Sequence, residues 1–80
     1  MAALLQEGAS GDEVAELQRK LAELGFWTCA DGWYGPKTKR LVQRLQTMFG
    51  HTPDGIVSDA TITLIDEQLE SRALAAARRP

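Results

Sequence analysis

The stretch Asp31-Gly-Trp-Tyr-Gly-Pro-Lys-Thr38-Lys-Arg-Leu-Val42 returns in outline as Asp54-Gly-Ile-Val-Ser-Asp-Ala-Thr61-Ile-Thr-Leu-Ile65, at an offset of 54 − 31 = 23 residues. Each copy has an Asp-Gly pair, two apolar residues, a small residue, a Thr seven positions after the Asp, and an apolar pair just beyond. The Asp side chain can accept from the backbone two residues on, and Gly takes a positive φ that a side chain resists, so each copy opens on a tight turn. Pro36 suits the first position of a helix, and Ser58 followed by Asp59 suits an N-cap and first turn. Each copy therefore reads as a turn that launches a helix, and the chain as an internal repeat.

Working outward, Ser10 with Glu13 three residues later is a capping-box pattern that predicts the start of a first helix. Val14, Leu17, Leu21 and Leu24 recur at helical spacing behind it, and Gly25 stops it. Gln18 falls on or beside that apolar face, where its amide is expected to satisfy backbone groups of a nearby turn. The segment before, residues 4–9, reads as an extended lead-in whose leucines pack over the helices. The second helix is predicted from about Pro36 to Phe49, burying Thr38, Leu41, Val42, Leu45 and Phe49 and ending at Gly50. Its outer face carries Lys37, Lys39, Arg40 and Arg44. The third helix is expected to bury Thr61, Leu64, Ile65 and Leu69. The fold class is thus all-α, a compact three-helix bundle with two Asp-Gly turn-helix repeats. The domain is placed at 1–69, with 70–80 a helical extension or linker toward a domain absent from this chain.

Eighty residues make one domain with a core good for only a few kcal/mol. A net charge of −2, from 9 basic and 11 acidic residues, argues against a dedicated nucleic-acid binder. No apolar run approaches the roughly 20 residues of a membrane span, so the chain reads as soluble, without a membrane partner. The single cysteine, Cys29, forms no internal disulfide. Cys29, Asp31, His51 and Asp54 match no zinc spacing, so neither a metal nor a cofactor is expected. The opening residues Met1–Glu7 lack the basic region of a secretory signal.

With both turns and the Gln18 helix in place, the sequence resembles the small peptidoglycan-binding domain attached to bacterial and phage cell-wall hydrolases such as endolysins. The resemblance covers about residues 4–66. It is carried by Gly8, Gly11, Val14, Leu17-Gln18, Leu21, Gly25, Asp31-Gly32-x-Tyr34-Gly35-x-x-Thr38, Gln46, Gly50, Pro53-Asp54-Gly55-Ile56-Val57 and Thr61. Leu41, Leu45, His51 and Ser58 depart from the family pattern and bear on the shape of any groove. The resemblance implies a non-catalytic module, monomeric, that holds a covalently linked lytic enzyme on murein. It implies action at the cell wall or periplasm. The lack of a signal favours a phage lysin released by a holin, or excision from a longer exported protein.

A binder of glycan strands and their peptide stems needs exposed aromatic surface, a few fixed polar groups and donors for carboxylates. Trp33 at a turn tip and Trp27 in the connector are the aromatic candidates, each balanced against a role as core cover. Tyr34 is expected to bury its ring and offer only its hydroxyl. Asp31, Gly32, Thr38 and Gln18 complete the candidate set, with a groove expected between the two turns and a carboxylate seat at the start of the second helix. An enzyme is disfavoured, since the only acids so placed form turns. The main alternative is a protein-docking or structural module in a phage or secretion assembly.

Overall fold

A computed structural model describes residues 5–26 and 28–77. Three helices, α1 (Asp12–Glu23), α2 (Pro36–Met48) and α3 (Asp59–Ala77), follow in chain order. The described residues hold no strand, only two isolated antiparallel bridges, Leu5 with Val57 and Ser10 with Trp33. The core draws Val14, Leu17 and Leu21 from α1, Val42 and Leu45 from α2, and Leu64 and Ile65 from α3, and the turns add Tyr34 and Val57. Each helix buries one stripe at three- and four-residue spacing, as an amphipathic helix must.

Both of the first two helices end by the same device. After α1, the Gly25 N–H donates to the Ala22 carbonyl and the Phe26 N–H to that of Leu21. After α2, Gly50 donates to Thr47 and His51 to Gln46, the same paired pattern. The repeat therefore includes the end of one helix, a connector, an Asp-Gly turn and the start of the next helix.

The lead-in runs as a strap across both turns. Leu5 exchanges two backbone hydrogen bonds with Val57, while Tyr34 donates to the Ala9 carbonyl and accepts, through its own, from Gly8. Val57 and Tyr34 are equivalent positions of the two repeats, so one strap clasps the same point of each. Leu5 packs against the core as expected; Leu4 lies outside the described residues.

Several expectations need correction. Ser10 does not cap α1: the helix begins after Gly11, which has φ of 121° and makes no side-chain cap bond. The backbone of Ser10 is held instead by its bridge to Trp33, and a local capping signal yields to that pairing. Phe49 is 39% exposed, because the chain leaves the helix at this residue and carries the ring off the buried stripe. Leu24, Leu41 and Leu69 fringe the core without being buried in it. The third helix needs no such correction: it spans Asp59–Ala77, running into the segment read as a helical extension.

Truncating Leu45 or Ile65 to Ala should cost about 2–5 kcal/mol, most of the stability of so small a domain. Met48→Ala, on the exposed side of α2, should cost little. Urea unfolding followed by circular dichroism measures both, and equal losses would contradict this core.

Candidate functional site

Each Asp-Gly turn is held by a glutamine from the helix before it. The Gln18 carboxamide oxygen accepts from the Gly32 N–H at 2.9 Å. Its nitrogen lies 2.9 Å from the Trp33 carbonyl, 3.1 Å from an Asp31 carboxylate oxygen and 3.1 Å from the Thr38 hydroxyl. The same Asp31 oxygen accepts from the Trp33 N–H. At the second turn Gln46 repeats every contact: it accepts from Gly55 and donates toward Asp54, the Ile56 carbonyl and Thr61. Asp54 likewise accepts from the Ile56 N–H. Both glutamines are buried, and among the described residues no buried side-chain polar atom lacks a partner.

These bonds act on the charge of the acids. The Trp33 N–H first, then the Gln18 amide, hold the Asp31 carboxyl below the usual carboxylate range. The Ile56 N–H is the leading cause of the same shift at Asp54, which Gln46 reinforces. Both acids are therefore ionised acceptors at neutral pH.

The two turns are joined by Tyr34. Its ring is buried, and its hydroxyl donates to the Gly55 carbonyl in the second turn at 2.5 Å. Burial foremost, then the Asp54 and Glu7 carboxylates, push its phenol well above its ordinary value, so the proton stays on this bond. The Lys39 stem lies over the second turn, where its Cγ is 2.8 Å from the place a Cβ on Gly55 would occupy. Its ammonium reaches Glu7 of the strap at 3.6 Å. Tyr34 thus bridges the two turns where the sequence suggests a groove, its hydroxyl engaged by the Gly55 carbonyl, while Lys39 and the strap lie against the second turn.

A hollow of about 240 Å³ opens at the first turn instead. Gln18, Asp31, Trp33 and Thr38 line it with Thr28, Cys29, Gly35, Pro36 and Lys37. Four of the seven sequence candidates therefore share one cavity. Trp33 is 51% exposed and its indole lies across Gly35, with Nε1 2.7 Å from where a Cβ would stand. Gly32 contributes its backbone to the turn, Tyr34 is buried in the core and does not line the hollow, and Trp27 lies outside the described residues. Pro36 has no N–H and Gly35 provides no side-chain cap, and this uncapped start of α2, Pro36 to Thr38, lines the hollow.

Sequence reading missed the part played by Gln46, although the residue itself was in view. Gln18 precedes its Asp by 13 residues and Gln46 by 8. A search at the fixed offset of 23 cannot align them.

Residues 10–65 match the family described as "Putative peptidoglycan binding domain". The chain is 42% identical over 64 residues to a zinc D-Ala-D-Ala carboxypeptidase of Streptomyces albus G, covering 76% of this chain and 25% of that protein. It is 42% identical over 55 residues to a spore cortex-lytic enzyme of Halalkalibacterium halodurans, covering 68% and 17%. It therefore spans a quarter or less of these two relatives. The crystal structure of the SleB N-terminal domain superposes with a TM-score of 0.80 at 34% identity, over 84% of this chain and 93% of that one.

Gln18→Ala and Gln46→Ala should each destabilise the fold by about 1–3 kcal/mol, because buried partners are left unpaired. Chemical unfolding checks both, and a loss confined to Gln18 would deny the equivalence of the turns. The carboxyls of Asp31 and Asp54 are held below their unfolded values, so their contribution is complete above the ordinary Asp value and disappears as pH falls through the folded one. Thermal melts between about pH 6 and pH 2 should show a loss on acidification, shallower in the double variant Asp31→Asn/Asp54→Asn.

Proposed function

The chain belongs to the peptidoglycan-binding domain family, and we propose that it holds the protein of which it is part on murein through the hollow at the first Asp-Gly turn. The supporting observation is the concurrence, in one cavity, of an exposed indole, an uncapped helix start and a lysine, around a floor fixed by hydrogen bonds. An indole face suits the apolar face of a sugar or an aliphatic stem, and uncapped N–H groups beside Lys37 suit a carboxylate. The volume is below that of most drug-sized sites, which fits one saccharide or one terminal stem residue of a larger polymer.

A peptidoglycan-binding domain is the non-catalytic part of a hydrolase, and in this reading cleavage belongs to a linked domain. The relatives above are bacterial, and we place the module at the bacterial cell wall, acting as a monomer. Residues 70–80 are assigned to an extension leading toward that linked domain. Trp33 and the α2 start make the ligand contacts, while Asp31, Gly32, Gln18 and Thr38 hold them in position.

Sedimentation with insoluble murein tests the reading. The native chain should pellet with it, and Trp33→Ala should pellet markedly less with an unchanged melting temperature. Gly35→Ala should weaken binding in the same way, because a Cβ there displaces the indole. Native protein that stays in the supernatant, or a Trp33→Ala variant that binds equally well, would refute the proposal.

A further inference from the structure

The charge of this chain is strongly segregated. α2 carries Lys37, Lys39, Arg40 and Arg44 with no acid, a charge of +4, which leaves −6 for the remainder of a chain whose net is −2. Lys39 is paired with Glu7 and Lys20 with Asp66 and Glu16; these are the ion pairs among the described residues, and they leave out Lys37, Arg40 and Arg44. Those three stand at i, i+3 and i+7 on one exposed stripe.

The stripe is continuous with the hollow. Lys37 lines the first-turn hollow and also a shallow trough along the outer side of α2, shared with Arg40, Leu41, Arg44 and Met48. Leu41, Arg44 and Met48 in turn border a third depression that ends at Phe26 behind α1. The three concavities therefore form one track. From Lys37 to Met48 the helix rises about 16 Å, the reach of an extended peptide of about five residues.

We propose that this track receives an extended acidic peptide running from the hollow along α2, with its carboxylates on Lys37, Arg40 and Arg44 and its aliphatic parts on Leu41 and Met48. The inference rests on the murein-binding reading and deepens it: the occupant has the chemistry of a murein stem peptide, and recognition extends beyond the sugar. Charge complementarity selects it, because an otherwise acidic domain clusters three exposed cations, Lys37, Arg40 and Arg44, outside its ion pairs along this path, whereas Arg19 and Arg72 stand singly on other helices. A peptide is favoured over a phosphodiester polymer because half-buried Leu41 and exposed Met48 share the trough with the cations.

The test is an NMR titration with a muramyl tetrapeptide bearing free carboxylates, in parallel with the same compound fully amidated. The free acid should shift resonances of residues 33–48. Raising salt from about 0.02 to about 0.2 M should weaken it. Arg40→Gln/Arg44→Gln should weaken it about three- to tenfold, while Arg19→Gln, removing a cation from α1, should not. Equal binding of the amidated compound, or no effect of the double variant, would overturn the proposal. So would shifts at residues 37–48 produced by a polyglycerol phosphate and not by the acid peptide. If native protein pellets with murein while the free acid leaves α2 unmoved, the track falls and the function proposed above stands. Failure to pellet with murein removes that function, and the track with it.

Discussion

A primary carboxamide carries two N–H donors and an acceptor at the end of a short stem, and the fold depends on two of them. A chain that reverses over Asp-Gly presents inward one N–H, one carbonyl and the acid side chain. An apolar residue at Gln18 would continue the buried stripe of α1 and leave the Gly32 N–H and the Trp33 carbonyl without their partner, at a cost of about 1–3 kcal/mol for each group kept from water. Gln18 satisfies them together and also touches Thr38 in the first turn of α2. Gln46 does the same for the second turn and for Thr61 in α3. Each of the first two helices thereby grips the start of its successor. The helices need little contact elsewhere to be set at fixed angles, which is how three short elements with a small core keep one arrangement.

The two turns share this lock and differ in what surrounds it. Five residues lie between Gly25 and Asp31, whereas three lie between Gly50 and Asp54. The longer connector brings Thr28 and Cys29 beside the first turn and gives the hollow a second wall. Trp33 provides another wall, where the second turn has the smaller Ile56. The second turn is covered, by Lys39 above and by Val57 tied to the strap. Duplication thus produced two equivalent scaffolds, one committed to closing the fold and one left open.

Much of this was legible in the residues. The offset of 23, the periodic stripes and the glycine stops fix three helices and two turns, since each rests on chemistry within a few residues of itself. Gln18 could be placed against a turn because a carboxamide on an apolar face needs partners. The failures have a common cause in distance along the chain. Ser10 and Glu13 form a sound local capping pattern, yet the backbone of Ser10 is claimed by Trp33, 23 residues away. The Tyr34 hydroxyl crosses to Gly55, 21 residues on, and so bridges the two turns where their pairing suggests a groove. Neither partner leaves a mark near the residue it captures.

The division of labour within the hollow follows from how fully its floor is bonded. Gln18 and Thr38 are buried and face each other, and Asp31 already accepts from two donors. A ligand that took hydrogen bonds from this floor would have to break those that hold the turn, and would lose in fold stability what it gained in contact. In the proposed murein site, attraction is therefore assigned to groups without side-chain partners among the described residues, namely the exposed indole of Trp33, the start of α2 and the cations that begin at Lys37. Such a site separates folding from recognition. On that proposal its rim can change residue by residue, and with it the wall fragment bound, while the carboxamide lock below stays the same.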